Sequence, residues 1–228
     1  MAHQLPLGIT LRDNAAFENY FSGANGEAVF ALKQCAEGRG EQFIYLWGTQ
    51  GTGKSHLLQA VCKLEKNAVY LPLSEKESLV PDMLEGLESM AIVCIDDMEQ
   101  IAGDPEWETA VFNLFNRVRD SGNRLIITDN VKPADLGIKL PDLVSRLNWG
   151  LTLHLQLLND EGKLSALQLR AVKRGFELPD NVGKYLLSRN TRDLSSLFDL
   201  LDQLDEASLA AQRKLTIPFV KEVAGLRD

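Results

Sequence analysis

Cysteine is scarce in this sequence: Cys35, Cys62 and Cys94 are the only three among 228 residues, and no two of them form a CxxC pair. That spacing argues against a disulfide framework or a zinc site. It leaves three small buried hydrophobes in a reducing compartment. No apolar run approaches the length of a membrane span, and the N-terminus lacks the basic-then-apolar layout of a secretory signal. The expectation is a cytoplasmic protein with no membrane partner. Basic residues are not in excess either, since 24 Lys and Arg face 32 Asp and Glu for a formal net charge of −8. Proteins that coat phosphate backbones rely on clustered Lys and Arg, so DNA is not expected to be the main direct partner. Internal repeats and low-complexity segments are absent as well.

What is present is a globular composition, 45% hydrophobic and 25% charged, in a chain long enough for one large or two small domains. Residues 1–12, interrupted by Pro6 and Gly8, show no period and read as a flexible tail. Short apolar runs at 43–47, 68–71, 91–95, 124–128 and 151–155 predict buried strands. Between them, helical spacing predicts a helix over 54–64, another through Trp107, Val111, Leu114, Phe115 and Val118, and a third over about 74–88 opened by a Ser74-x-x-Glu77 capping box. Strands alternating with helices imply a mostly parallel sheet covered on both faces. Beyond residue 156 only amphipathic helical stretches remain, at about 160–174, 180–189, 191–209 and 216–224, with Thr191 and Thr216 as N-caps and Pro218 in a first turn. The organisation read from this is a tail over 1–12, an α/β domain over 13–156 and a small all-helical domain over 157–228.

Two segments carry chemistry. Gly48, Thr49, Gln50, Gly51, Thr52, Gly53, Lys54 and Ser55 fit G-x-x-x-x-G-K-[ST] at every fixed position, after a predicted strand and before a predicted helix. Glycines let the backbone approach phosphates closely, and the loop amides with the following helix N-terminus present donors to the anion. Lys54 would reach the β- and γ-phosphates, and the Ser55 hydroxyl would ligate Mg2+. About forty residues on, the strand Ala91–Ile95 ends in Asp96 and Asp97, the arrangement in which the first acid holds the magnesium shell and the second polarises a water. Alone, two acids after a strand are more often a turn or a helix cap.

In order along the chain, Gly48 to Ser55, Ile95-Asp-Asp-Met98, Ile126-Ile-Thr-Asp-Asn130, Ser145-Arg-Leu-Asn-Trp-Gly-Leu151 and Asn190-Thr-Arg-Asp-Leu194 resemble the AAA+ module of the bacterial replication initiator DnaA. The initiator continues into a helix-turn-helix DNA-binding domain, whereas this sequence stops at Asp228, soon after the last of these motifs. Together with a short tail bearing Gln4-Leu-Pro-Leu7, the segment 175–179 and the closing 212–220, that makes it similar to the DnaA-related family of regulatory inactivators. The resemblance implies a P-loop AAA+ module with a helical lid, binding ADP or ATP with Mg2+ and resting with ADP. It implies two partners: DnaA, and the DNA polymerase III sliding clamp loaded on DNA, so that DNA is met only through the clamp. Self-association is left open.

Residue by residue, the resemblance gives Arg146 the part of an arginine finger acting on a neighbour's nucleotide. Arg192 would contact the phosphates of its own chain, Asp129 would orient the γ-phosphate or water, and Gln4, Leu5 and Leu7 would engage the clamp. Each has a plainer reading: a salt bridge for either arginine, an Asx-turn before Pro133 for Asp129, a disordered end for the tail. Gly8 stands where clamp motifs carry a bulky apolar residue. Three functions compete: a regulator of DnaA-bound ATP, a helicase-loader ATPase using Lys54, Ser55 and Asp97 on its own account, and an origin-DNA binder, which the acidic balance disfavours.

Overall fold

The computed structural model describes Leu11, residues 15–189, residues 193–223 and Gly225. Gln4, Leu5, Leu7 and Arg192 lie outside the described residues. The chain divides into two compact units, Met1–Leu157 and Leu158–Asp228.

The first unit is built on five strands: β1 (Phe43–Trp47), β2 (Ala68–Pro72), β3 (Ile92–Asp96), β4 (Arg124–Asp129) and β5 (Leu151–His154). They lie in the order β2-β3-β4-β1-β5, and every pairing is parallel. Parallel neighbours need crossovers, which place helices on the two faces. On one face α1 (Gly26–Ala36) and α2 (Lys54–Leu64) bury Leu32, Cys35, Leu57, Leu58 and Val61 against Ile44, Leu46, Cys94 and Ile126. On the other, α3 (Pro105–Ser121) and α4 (Pro141–Leu147) bury Val111, Leu114, Phe115, Val118, Leu143 and Leu147 against Tyr45, Val93, Ile95 and Ile127. Alternate residues of each strand point to opposite faces, so near-continuous apolar runs serve both cores. All three cysteines are buried and unpaired, and burial raises the Cys35 and Cys94 thiols above their ordinary range.

Two expectations for this unit fail. No α-helix forms over 74–88; the segment is three 3-10 turns, Leu73–Ser78, Pro81–Leu84 and Leu87–Ser89. Pro81 lacks an N–H and forces Val80 into an extended conformation (φ −125°, ψ 147°), and Gly86 turns left-handed (φ 83°). The capping box does not form, because the Ser74 side chain bonds Asp97 instead. Helix α1 was also missed: its buried face is made partly of small residues, Ala28, Cys35 and Ala36 around Leu32, and no side chain caps it.

The second unit holds α5 (Asp160–Lys173), α6 (Asp180–Arg189), α7 (Leu194–Ala211) and α8 (Ile217–Val223) around Leu167, Val182, Leu186, Leu197, Leu201, Leu204 and Phe219. Arg174 Nε donates to Asp205 Oδ2 at 2.7 Å, tying α5 to α7. The helix placed at 191 begins instead at Leu194, because Asp193 is the residue whose carboxylate accepts from the Ser196 N–H, at 3.0 Å. Thr191 lies outside the described residues. Thr216 does stand at the head of α8, its Oγ1 accepting from the Phe219 N–H at 3.4 Å.

Candidate functional site

Because β1, β3 and β4 run parallel, their carboxyl ends share one edge of the sheet, and Gly48, Asp97 and Asn130 leave from that edge. The loop from Gly48 joins β1 to α2, with Gly51 and Gly53 left-handed (φ 87° and 89°). At Gly53 the need for glycine is double: beyond the dihedral, a Cβ there would lie 2.6 Å from Tyr20 Cε2. Tyr20 lies across the loop, its hydroxyl donating to the Thr52 carbonyl at 3.0 Å. Buried Asn25 braces Tyr20 in turn, donating through Nδ2 to Tyr20 Oη at 3.1 Å and to the Gln156 carbonyl at 3.0 Å, while the Gln156 N–H donates to its Oδ1 at 2.8 Å. Thr49, Gln50 and Gly51 form the exposed rim, and Thr52 is buried with its hydroxyl donating to the Thr49 carbonyl at 2.9 Å.

Lys54 is 6% exposed. Its ammonium donates to the carbonyls of Gly48 (2.6 Å) and Thr49 (3.4 Å) and to Asn130 Oδ1 (3.0 Å), and to no carboxylate among the described residues. Burial lowers its pKa, opposed by the charges of Asp96, Asp97, Glu99 and Asp129. A cation held on neutral oxygens in a dry, anion-shaped loop has its charge available for a phosphate.

Asp96 ends β3 with no exposed surface, its carboxylate accepting from Tyr70 Oη at 2.7 Å and from the Thr128 hydroxyl. The Tyr70 hydroxyl also meets the side chains of Ser55 and Gln59, so Ser55 and Asp96 converge on one point. Among the described residues no group of three or more acidic, His or Cys side chains could hold an ion unaided. One hydroxyl and one carboxylate suit an ion that keeps most of its shell in water and phosphate oxygens, as magnesium does. Asp97 is half-buried and left-handed (φ 58°, ψ 53°), a conformation that Asp tolerates better than most residues. Burial and then the Asp96 charge raise its pKa.

Asp129 does not face this space. Both its oxygens are engaged by backbone, Oδ2 accepting from the Glu99 N–H at 2.6 Å and Oδ1 from the Val131 N–H at 3.0 Å. The second bond is the Asx-turn. The side chain that reaches the loop is Asn130, whose Oδ1 accepts from Lys54 and whose Nδ2 donates to Glu99 Oε1 at 2.6 Å. The expectation for Asp129 therefore moves by one residue, because in a strand each step turns the side chain to the opposite face.

Glu99, unremarked in the sequence, sits between Asn130 and Asp129. Burial, and then the Asp129 carboxylate beside it, raise its pKa from the ordinary 4.5 to about 7. A folded-state pKa above the unfolded one means that the folded protein keeps a proton the unfolded chain releases, so stability falls as pH rises through that window and levels off above it. Glu99→Gln fixes the uncharged form. Melting temperatures of the nucleotide-free protein should then decline less between about pH 5 and pH 8 than in the parent, and should lie higher above pH 7. Parallel curves would dissociate Glu99 from that pH dependence.

Arg146 lies elsewhere. It stands in the last turn of α4, half-buried, beside a small apolar recess shared with Phe43, Phe115, Leu147 and Gly150. Phe43 begins β1, whereas the phosphate loop leaves its far end, so roughly 16 Å of strand separates the two. That is more than an arginine side chain spans. Among the described residues Arg146 makes no ion pair.

Residues 160–224 match the family model of the Hda lid domain, and residues 73–154 match that of the bacterial DnaA ATPase domain. This chain is an Hda/DnaA-like AAA+ protein. Domain III of the replication initiation protein DnaA from Thermotoga maritima superposes with a TM-score of 0.79 at 25% identity, covering 95% of this chain and 98% of that one. AMPPCP-bound DnaA from Aquifex aeolicus gives 0.70 at 21%, covering 86% and 67%. The Thermotoga maritima Holliday-junction motor RuvB gives 0.67 at 15%, covering 92% and 73%. At those lower identities the likeness is one of fold. The parallel sheet with a helical lid expected from the sequence is thus the nucleotide-binding fold of the DnaA-related AAA+ proteins. No helix among the described residues is long and apolar enough to cross a membrane.

Proposed function

We propose that this protein is a regulator that promotes hydrolysis of ATP held by DnaA, with Arg146 completing the neighbour's site. The observation that carries the reading is where Arg146 stands: at the opposite end of β1 from its own phosphate loop, its charge unspent in any ion pair among the described residues. A planar cation placed that way is useful to a nucleotide bound by another subunit, where it meets the charge spread over the transferring phosphoryl oxygens.

The chain's own nucleotide, ADP or ATP, has a separate part. Loop amides and the start of α2 hold the phosphates, and Lys54 exchanges its carbonyl partners for phosphate oxygens. Asn130 bridges Lys54 to Glu99. Ser55 and Asp96 would hold Mg2+, which supplies positive charge against the phosphates, and Asp97 is placed to orient water. Arg192 in the lid is assigned to the same nucleotide. Bound nucleotide keeps the AAA+ module in the shape that DnaA recognises, and the tail brings the protein to the clamp on DNA in the cytoplasm.

One reconstitution tests this. ATP-loaded DnaA, clamp loaded on DNA and this protein are combined, and hydrolysis of the DnaA-bound ATP is followed. Acceleration that needs both clamp and this protein is expected. Turnover by this chain alone, stimulated by helicase or DNA with no effect on DnaA, would replace the reading with a helicase loader. Turnover rising with its own concentration would place Arg146 on a second copy.

The tail has its own test. Replacing Gln4 and Leu5 by alanine should abolish co-elution with the clamp and leave the melting temperature unchanged, since terminal residues add little to a core. Undiminished clamp binding would exclude this segment as the attachment point.

A further inference from the structure

After Arg146 the chain turns sharply through Asn148, Trp149 and Gly150 into β5. The turn is held at several points. Asn148 Nδ2 donates to the Val144 carbonyl at 2.7 Å, and the Trp149 N–H donates to the Arg146 carbonyl at 2.9 Å. Gly150 lies flat on β1, where a Cβ would stand 2.3 Å from the Phe43 carbonyl oxygen. Trp149 is left 54% exposed, its ring nearly parallel to those of Phe43 (12°) and Phe115 (24°), with centroids 6.5 and 6.4 Å away.

The Arg146 guanidinium carbon lies 4.9 Å from the centre of the Trp149 ring. This is the seat the guanidinium has in place of a carboxylate. The difference matters chemically. A carboxylate would hold the arginine by neutralising it and would compete with any phosphate. An indole face attracts the cation through its quadrupole, restricts its rotamers and leaves its charge and its N–H donors available. Holding a catalytic group in place beforehand removes entropy that the reaction would otherwise have to supply.

We infer that Trp149 is a positioning residue for Arg146, its indole face presetting the guanidinium in the orientation from which it meets the phosphates on a neighbouring AAA+ subunit. The inference rests on the trans role proposed above. It adds a residue that contacts no nucleotide of its own chain and acts through the arginine.

The test is the DnaA reconstitution with Trp149→Ala, Trp149→Leu and Trp149→Phe, beside Arg146→Ala. Titrating each to saturation separates the maximal stimulated rate from the half-saturating concentration. Alanine and leucine should lower the maximal rate roughly 3- to 30-fold. Phenylalanine, which restores a π face, should retain most of it. Half-saturation, ADP binding and melting temperature should match the parent. If Arg146→Ala abolishes stimulation while all three Trp149 variants stimulate normally, the inference falls and the trans reading stands. If Arg146→Ala stimulates normally, the trans reading falls and takes the inference with it. A change confined to half-saturation would make Trp149 an ordinary contact residue and overturn the inference. Should alanine lower the melting temperature, leucine against phenylalanine decides: both fill the space and only one has a π face, so equal rates overturn the proposal.

Discussion

Arg146→Ala should leave this protein folded, nucleotide-bound and able to bind clamp, and should nonetheless reduce its stimulation of DnaA-bound ATP hydrolysis by about 10³-fold or more, the scale of arginine fingers supplied in trans. Folding should be spared because the side chain is half-buried beside an already apolar recess and anchors no ion pair among the described residues. Nucleotide binding should be spared because the phosphate loop is a strand's length away. Lysine should rescue poorly: an ammonium is a point charge on a flexible stem, without the planar fork of donors that matches phosphate oxygens and without the flat contact with Trp149. An arginine serving only as a structural tether would behave otherwise, lowering melting temperature and every activity in proportion. Melting temperature, clamp binding and stimulated hydrolysis measured on one preparation separate the two. A stable variant with full stimulation would remove Arg146 from the mechanism.

The second large effect belongs to Lys54. Lys54→Ala removes the one ammonium in the phosphate loop, and ADP or ATP should bind about 100-fold more weakly, a loss of ~2.7 kcal/mol. The stability of the free protein should change little, because the substitution removes a buried charge whose pKa burial already lowers, along with three bonds to neutral oxygens. The contrast appears on adding nucleotide. At about 100 times the parent's Kd, mass action stabilises the parent by ~2.7 kcal/mol and the variant by only ~0.4 kcal/mol. For a unit of this size the difference is roughly 5–9 °C in melting temperature. Equal shifts in the two proteins would mean that this loop is not where nucleotide binds.

Much of the site was legible because its chemistry is written in contiguous residues. A phosphate loop is eight consecutive positions, and the strand that leads to Asp96 announces itself by an unbroken apolar run. Where meaning depended on a partner distant in sequence, reading failed or fell one residue short. Ser74 and Glu77 have the form of a helix cap, yet Ser74 bonds Asp97 across the sheet edge, and Pro81 forbids the helix. Asp129 and Asn130 are equally polar neighbours at a strand end. Only the pairing of β4 with β1, Asp129 opposite Trp47, and the turn that follows decide that the first holds backbone and the second meets Lys54. Tyr20 and Asn25 had no signal at all, since no apolar period marks the segment that carries them.

The sequence by itself determined the class of fold, the order of strands and helices along the chain, the division between an α/β part and a helical part, and the identity of the phosphate loop. Those depend on periodicity and on local backbone requirements, which act within a few residues. The tertiary structure decided which polar groups face one another: Lys54 with Asn130 across 76 positions, Asn25 with the Gln156 backbone across 131, and Arg146 with an indole at the far end of β1 from its own loop. The physical reason is that such pairings are set by strand order and register. These follow from how both faces of the sheet are buried at once, and no short stretch of sequence carries that information.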